Sequence, residues 1–364
     1  MKAAVLHKVG GPFSVEDVEL LPPQKGEVRV SLKAAGLCHS DWHFVDGYLS
    51  RPFPVILGHE GAGVIEELGE GVTTLHKGQR VALNWAPSCY NCYYCLRGET
   101  GMCETTWNWH NGTMYDGSTR FRVGGKVAHQ MSVLSTFTEQ TVAPAESCVP
   151  LDDDIPLDVA ALVGCCVTTG VGAALNTVDI RPGDAVAVYG CGGVGLNCVQ
   201  GAKLSNAYPI VAVDTDPAKE EIAKQFGATH FVQAGDDAHE KVQALTGGRG
   251  AEYVFEAVGL PAVQEAAYKA TRRGGALVVV GVAPKDTTTS FPGLDLHVNQ
   301  RRILGSFFGS TDPSLEFPRL HGFYRNGNLL VDELISKHYP LDQINEGYAD
   351  MLKGGHKRGV IIFD

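Results

Sequence analysis

Val186-Ala187-Val188-Tyr189-Gly190-Cys191-Gly192-Gly193-Val194-Gly195 passes directly from an apolar run into a glycine cluster, and its reading decides the fold. The first four residues read as a buried strand, and residues 196–204 as the helix that follows. Glycine is needed between them because a side chain would block the tight turn and keep a pyrophosphate from the helix N-terminus. The next apolar run, Ile210-Val211-Ala212-Val213, ends at Asp214, 19 residues after Gly195. A carboxylate there accepts hydrogen bonds from the adenosine ribose hydroxyls and repels a 2′-phosphate, which predicts NAD rather than NADP. Gly190, Gly192, Gly193, Val194, Gly195 and Asp214 are therefore the expected coenzyme contacts, with Lys219 within reach of the ribose.

Downstream, Tyr253-Val254-Phe255 and Leu277-Val278-Val279-Val280 are further short apolar runs, separated by helix-like stretches such as residues 218–226 and 261–271. This β-α-β rhythm predicts a doubly wound parallel sheet covered on both faces. Upstream the text differs. Residues 28–32, 61–68, 80–83 and 137–142 are β-like runs punctuated by Gly and Pro, so the first half is expected to be mainly β with long loops.

Within that β-rich half, Cys89, Cys92, Cys95 and Cys103 form C-x2-C-x2-C-x7-C. Four thiolates from one loop can surround a tetrahedral zinc with no position left for water, which implies a structural site. A redox switch or an iron–sulfur cluster is the competing reading; the bacterial ferredoxin pattern ends in C-x3-C-P, and this one does not. Cys38, His59 and Cys165 are more scattered, each near the end of an apolar segment. Singly they read as buried residues; together with a dinucleotide fold they suggest a Cys2His zinc with one open position, as alcohol-to-carbonyl chemistry requires.

At this point the chain resembles the zinc-dependent medium-chain alcohol dehydrogenases along essentially its whole length. The matching text is Gly36-Leu37-Cys38-His39-Ser40-Asp41, Gly58-His59-Glu60-Gly61-Ala62-Gly63, the four-cysteine lobe and Asp116-Gly117-Ser118-Thr119-Arg120-Phe121. It continues with Ser135-Thr136-Phe137-Thr138, Gly164-Cys165, Thr168-Thr169-Gly170, the glycine turn and Lys357-Arg358-Gly359. The resemblance implies a GroES-like β-rich catalytic domain, residues 1–166 completed by 308–364, and a Rossmann coenzyme domain, residues 167–307. It implies two zinc ions per subunit: a catalytic one on Cys38, His59 and Cys165, and a structural one on the four lobe cysteines. Glu60 would lie next to the metal and Asp41 would orient His59. Ser40 would take the alcohol proton and His43 would pass it through the nicotinamide ribose to solvent. His39 stands where many relatives carry a pyrophosphate-binding arginine; Arg358 matches a second such arginine, Val194 the residue behind the nicotinamide, and Thr169 a contact on its side. Trp85, Met131, Ser132 and Val282 are expected near substrate and coenzyme, with Trp85 narrowing the pocket toward small or flat primary alcohols and aldehydes, aromatic ones included.

Two readings compete within the family. Residues 116–142 look like the glutathione-dependent formaldehyde dehydrogenases, but the stretch 104–115 holds Trp107, Trp109 and His110 and no Arg or Lys for a thiol adduct's carboxylate, leaving mycothiol as the open variant. Residues 129–138 and 161–165 look like the nicotinoprotein alcohol dehydrogenases, which retain NAD(H) through turnover. A zinc-lobed scaffold without activity and a zinc-free quinone reductase are disfavoured by the complete ligand sets. Residues 302–310 resemble the family's dimer-forming strand, so a homodimer is expected, with a tetramer as the alternative.

Composition bounds the rest. The 364 residues suit two domains, and 44% hydrophobic with 20% charged residues describes an ordinary globular chain. A net charge of −11 without a Lys/Arg cluster argues against nucleic acid and anionic membranes as partners, leaving a small-molecule alcohol or aldehyde. No uninterrupted apolar run reaches the ~18 residues of a membrane span, and the start of the chain lacks a secretory pattern, so a cytoplasmic location is expected. Cys148, Cys166, Cys191 and Cys198 are expected to be reduced packing residues, Cys166 being nearest the metal.

Overall fold

Strand runs that are apolar at every position call for a sheet buried on both faces, and such a sheet forms the second of two structural units. The structure is a computed structural model that describes residues 1–106, 111–354 and 358–364. The aromatic stretch Trp107, Trp109 and His110, and Lys357 beside Arg358, lie outside the described residues.

The second unit comprises Cys166–Thr311 and Asn328–Leu330. Its six strands lie in the order His230–Gln233, Ile210–Asp214, Val186–Tyr189, Ala251–Glu256, Thr271–Val279, Arg302–Gly305. All neighbours run parallel. Counted along the chain this is the order 3-2-1-4-5-6 of a dinucleotide-binding sheet, and Val186–Tyr189 sits where the order reverses. All four of its residues are buried, which explains a run with no polar alternation. Ala187, Val211, Val213, Val254 and Leu277 share the core. Arg302–Gly305 is an edge strand paired on one side only, with Thr271–Val279.

The first unit comprises Met1–Cys165, Asp312–Gly327 and Val331–Asp364. Lys2–Leu6, Phe13–Leu20, Phe121–Val123, Lys126–Gln130 and Val55–Ile56 close into a small barrel, which removes the exposed edges of short strands. A seven-stranded sheet is organised on Glu27–Gly36, which pairs with Glu60–Leu68, Gln140–Pro144 and the C-terminal strand Arg358–Ile362. Val28, Val30, Leu32, Phe137 and Tyr348 fill its core. Arg120, from the motif at 116–121, is buried, and its Nε donates to Glu27 Oε2 at 2.8 Å while Gln130 Oε1 accepts from its backbone N–H at 2.9 Å. The motif is thus a buried ion pair that pins residues 116–130 to the start of the central strand.

One helical run, Leu157–Leu175, is 19 residues long with a mean hydropathy of 1.7, the length and apolarity of a membrane span. The polar residues Asp158, Thr168 and Thr169 break the apolar text without breaking the helix. Of its most apolar window, 78% is buried within the protein, as in a core helix.

Candidate active site

The ladder register builds the first site. Gly36, at the end of the central strand, is paired with Glu60, at the start of its antiparallel neighbour, so Cys38 and His59 leave the two strands side by side. Glycine is required at 36 because a Cβ there would collide with the Glu60 carboxylate. Beyond it the chain turns into the short helix His39–Val45, with Cys38 in extended backbone as its N-cap. Cys165 arrives from the helical run at 157–175, where Val163–Val167 is a π-helical turn. The ligand atoms of Cys38, His59, Glu60 and Cys165 all lie within 4.8 Å of one another.

Buried polar contacts fix these side chains. Asp41 is fully buried; its carboxylate lies 3.0 to 3.1 Å from His59 Nδ1 and accepts the Gly58 N–H at 2.8 Å. Nδ1 therefore faces Asp41, which leaves Nε2 as the nitrogen available to a cation. Burial raises the Asp41 pKa, opposed by His59. The Arg358 guanidinium donates to the Leu37 carbonyl at 2.7 Å and to the Glu60 carboxylate. Glu60 is fully buried, and burial lifts its pKa to about 7 against the pull of Arg358. The Cys38 thiol is held well below its ordinary range by hydrogen bonding to Cys165 and by His59, against burial. Two sulfurs with one imidazole fit a three-ligand zinc site, with Glu60 engaged by Arg358.

Ser40 and His43 lie on the same short helix. Cys38 Sγ and Ser40 Oγ lie 3.5 Å apart. His43 Nδ1 lies 3.6 Å from Asp46 Oδ2, and its ring meets Tyr48 edge-on at 5.1 Å between centroids. His39, the first helical residue, is exposed. The Trp85 ring stands edge-on to His59, with centroids 6.1 Å apart. Ser132 is buried and its hydroxyl donates to the Trp85 carbonyl at 2.7 Å; Met131 is buried in the core against which Trp85 packs. Of the expected pocket residues in this unit, Trp85 thus reaches the site most directly, and Ser132 acts on it from behind.

Two participants were not legible beforehand. Arg358 was expected on a phosphate, and nothing in the sequence links it to Glu60, 298 residues away. Tyr348 was not singled out at all. Its ring lies 5.3 Å from Trp42, its hydroxyl is buried without a hydrogen-bond partner among the described residues, and burial with nearby Asp41 pushes its ionisation well up.

The four-cysteine lobe is a second, separate cluster, with all four sulfurs within 4.8 Å of one another. Cys92 and Cys103 Sγ are 4.0 Å apart, close to the ~3.8 Å between sulfurs on a tetrahedral zinc. A single helical turn, Tyr93–Leu96, and the 3-10 turn Thr100–Met102 bring the four round. Burial raises the Cys103 thiol, but the Thr105 hydroxyl, 2.9 Å away, and the backbone N–H groups of Cys89, Thr106 and Thr105 bring it down to about 6. Cys148, Cys166, Cys191 and Cys198 are buried elsewhere; burial pushes Cys148 and Cys191 up to about 12.

In the second unit, Gly192 caps the helix Gly193–Leu204, so its N-terminal amides open beside the glycine turn. A Cβ on Gly195 would collide with the Gly190 carbonyl, whereas one on Gly192 would meet nothing: the turn is closed toward the sheet and open on the side where a phosphate would approach. Asp214 Oδ2 accepts the Cys191 N–H at 2.7 Å and Oδ1 the Asp216 N–H at 3.0 Å, with Lys219 Nζ 3.2 Å away. These contacts hold the carboxylate at the C-terminal edge of the sheet. Val282 follows the strand Thr271–Val279 and is exposed there, while Thr169 lies on the helix Thr168–Leu175.

Comparison with known proteins agrees with this chemistry. Residues 24–153 match the alcohol dehydrogenase GroES-like domain and residues 193–325 the zinc-binding dehydrogenase family. The chain is 41% identical over 364 residues to an NDMA-dependent alcohol dehydrogenase of Amycolatopsis methanolica, covering 99% of this chain and 98% of that one. It is 38% identical to alcohol dehydrogenase B of Mycobacterium tuberculosis, covering 100% and 98%. Among solved structures, an alcohol dehydrogenase zinc-binding domain protein from Burkholderia ambifaria matches with a TM-score of 0.95 at 33% identity, covering 100% and 98%. Benzyl alcohol dehydrogenase from Acinetobacter calcoaceticus matches with 0.94 at 30%, covering 100% and 99%. With both ligand sets, the parallel sheet and these likenesses in hand, the chain belongs to the zinc-dependent medium-chain alcohol dehydrogenases, oxidoreductases whose zinc and NAD chemistry its sites fit.

Proposed function

We propose that this protein oxidises primary alcohols, flat aromatic ones above all, to aldehydes with NAD as hydride acceptor, and works in reverse when aldehyde and NADH prevail. The observation that carries the reading is the meeting of Cys38, His59 and Cys165 under the edge of the Trp85 indole. Bound zinc supplies the Lewis acidity that makes an alcohol proton labile near neutrality, and NAD supplies the acceptor for the hydride.

Each side chain then has a task. Asp41 keeps the His59 ring in one orientation. Arg358 neutralises Glu60 beside the ligands. Ser40 receives the alcohol proton and His43 takes it onward. Trp85, propped by Ser132 and Met131, limits the room beside the reacting carbon. Gly190, Gly192, Gly193, Val194 and Gly195 receive the pyrophosphate side of the coenzyme and Asp214 the ribose; His39, Thr169, Lys219, Val282 and Arg358 are its further contacts. The catalytic domain is assigned to 1–166 with 308–364 and the coenzyme domain to 167–307. The open edge Arg302–Gly305 supports a homodimer by continuation of the sheet.

The test is benzyl alcohol oxidation by freshly purified protein, with its bound nucleotide measured first. Accumulating NADH, and a Trp85→Ala variant that gains activity on bulky secondary alcohols while losing kcat/KM for benzyl alcohol by about tenfold, is the expected result. A second reading, in which NAD stays bound and an external acceptor regenerates it, is motivated by the relative named for NDMA dependence. Protein that arrives loaded and turns over only when NDMA is added would establish it.

A further inference from the structure

The proton proposed to leave the alcohol needs a way out beyond His43, and one residue not otherwise used stands there. His43 Nδ1 is buried and makes no hydrogen bond among the described residues, although its side chain as a whole is 16% exposed. The acceptor that the structure places toward it is Asp46 Oδ2, 3.6 Å away, an ion-pair distance too long for a formed hydrogen bond. Asp46 is not adrift. It caps the C-terminus of the helix His39–Val45, its backbone N–H donates to the Trp42 carbonyl, and its Oδ1 accepts the Tyr48 N–H at 3.0 Å. That turn aims Oδ2 at the imidazole, and the Tyr48 ring, edge-on to His43, closes the other side. The Asp46 side chain is 28% exposed, so the carboxylate touches the buried nitrogen on one side and solvent on the other. His39, one turn earlier on the same helix, is a further titratable group near His43, and the two imidazoles repel each other when both are charged.

We propose that Asp46 is the outer end of the proton path, a positioning residue that fixes the His43 tautomer and receives its Nδ1 proton. The step balances without a further reagent. As Ser40 takes the alcohol proton, it releases its own toward His43; once Nε2 has taken up a proton, the Nδ1–H bond breaks toward Asp46 Oδ2, and Asp46 hands the proton to water. The hydride leaves separately for NAD, so one proton and one hydride account for the alcohol's two hydrogens. The 3.6 Å gap shortens when the ring carries positive charge, because a charge-assisted hydrogen bond is both shorter and stronger than a neutral one. An imidazole locked by a carboxylate on one nitrogen presents the other in one tautomer, the same logic by which Asp41 serves His59.

This inference rests on the proposed Ser40–His43 path, and the experiment separates the two. Proton release into a pH-indicator dye is followed in a single turnover of the zinc-loaded, full-length protein with NAD and benzyl alcohol. The wild type, His43→Ala, Asp46→Asn and the double variant are compared, with and without added imidazole. Asp46→Asn keeps the oxygen that accepts the Tyr48 N–H and removes only the charge; Asp46→Ser serves as a second variant if that one fails to fold. The expected result is proton release slowed about a hundredfold in His43→Ala and about tenfold in Asp46→Asn. No further slowing is expected in the double variant, imidazole should rescue both single variants, and KM should stay unchanged. Wild-type rates in Asp46→Asn alongside a slow His43→Ala would overturn the role of Asp46 and leave the path standing. Equal slowing by Asp46→Asn whether or not His43 is present, without rescue by imidazole, would reduce Asp46 to a structural cap and overturn the proposal. A fast His43→Ala would overturn the path itself, and the inference with it.

Discussion

The two cysteine clusters hold the same kind of ion by opposite means. In the lobe, all four sulfurs come from residues 89–103, joined by two single turns that neither sheet nor hydrophobic core dictates. Three of those cysteines are partly exposed, and Tyr93 and Leu96 between them are among the most exposed large apolar residues. In the active site the ligands come from residues 38, 59 and 165, and strand register, a π-helical turn and the buried Asp41 and Arg358 contacts place them. The lobe is a local structure that needs its ion to have a shape, whereas the open site is a shape that the surrounding sheet imposes whether or not an ion is there. Metal binding is folding energy in the first case and mostly chemistry in the second.

The largest expected effect breaks that symmetry outright. His59→Ala should lower kcat/KM by about a thousandfold or more, the several kcal/mol that a metal supplies, while amide exchange across 89–103 stays that of the wild type. Cys103→Ser should do the reverse: exchange across 89–103 accelerates about a hundredfold, and activity is lost only as the lobe opens. Mass spectrometry of exchange with elemental analysis reads both, and a His59→Ala protein that unfolds cooperatively on losing its metal would erase the distinction.

A smaller effect sharpens it. Asp41→Asn leaves His59 with a neutral partner in the same place and should weaken metal affinity at the open site by about ten- to a hundredfold. Graded chelation would show this as one zinc leaving early and the other at its wild-type concentration; early loss of both would mean that the two sites are coupled.

The smallest concerns acid, which strips both metals and so hides any contribution from the protein alone. His321 is buried in the helix Pro313–Arg325 with Nε2 lacking a hydrogen-bond partner among the described residues, and burial, helped by Arg325, depresses its pKa to about 4. The unfolded chain takes up that proton below about pH 6.5 and the folded chain does not. Stability is therefore intact above that pH and declines as pH falls toward 4, by about 1.4 kcal/mol at pH 5.5. His321→Gln, assayed by denaturant unfolding in excess zinc, should flatten this slope; an unchanged slope would assign the acid loss to the metal sites.

What the sequence made legible follows the same divide. The glycine turn, Asp214 and the four lobe cysteines lie within short spans, so their spacing is itself the geometry. Cys38, His59 and Cys165 are legible only in combination with the dinucleotide fold and through resemblance, because what unites them is the pairing of Gly36 with Glu60 and the path of a helix more than 100 residues later. Arg358 shows why the remainder was hidden. Its side chain is directed by the C-terminal strand pairing with Glu27–Gly36, and a contact set by strand pairing across 298 residues leaves no periodic or local trace. The polar interruptions of Leu157–Leu175 likewise hid the length of that helix, since Asp and Thr are tolerated wherever one face of a helix can satisfy them.

The π-helical turn at Val163–Val167 makes the chain sensitive to length in a place where its composition is permissive. Such a turn holds one residue more than a regular α-turn, and removing that residue would rotate the helix on one side against the other by about 100°. Cys165 would then swing out of phase with His59 although every cysteine and histidine was still present. Insertions and deletions, rather than substitutions, are therefore the changes this segment is built to refuse, while the hairpin tip Gly124-Gly125, open on all sides, can lengthen freely.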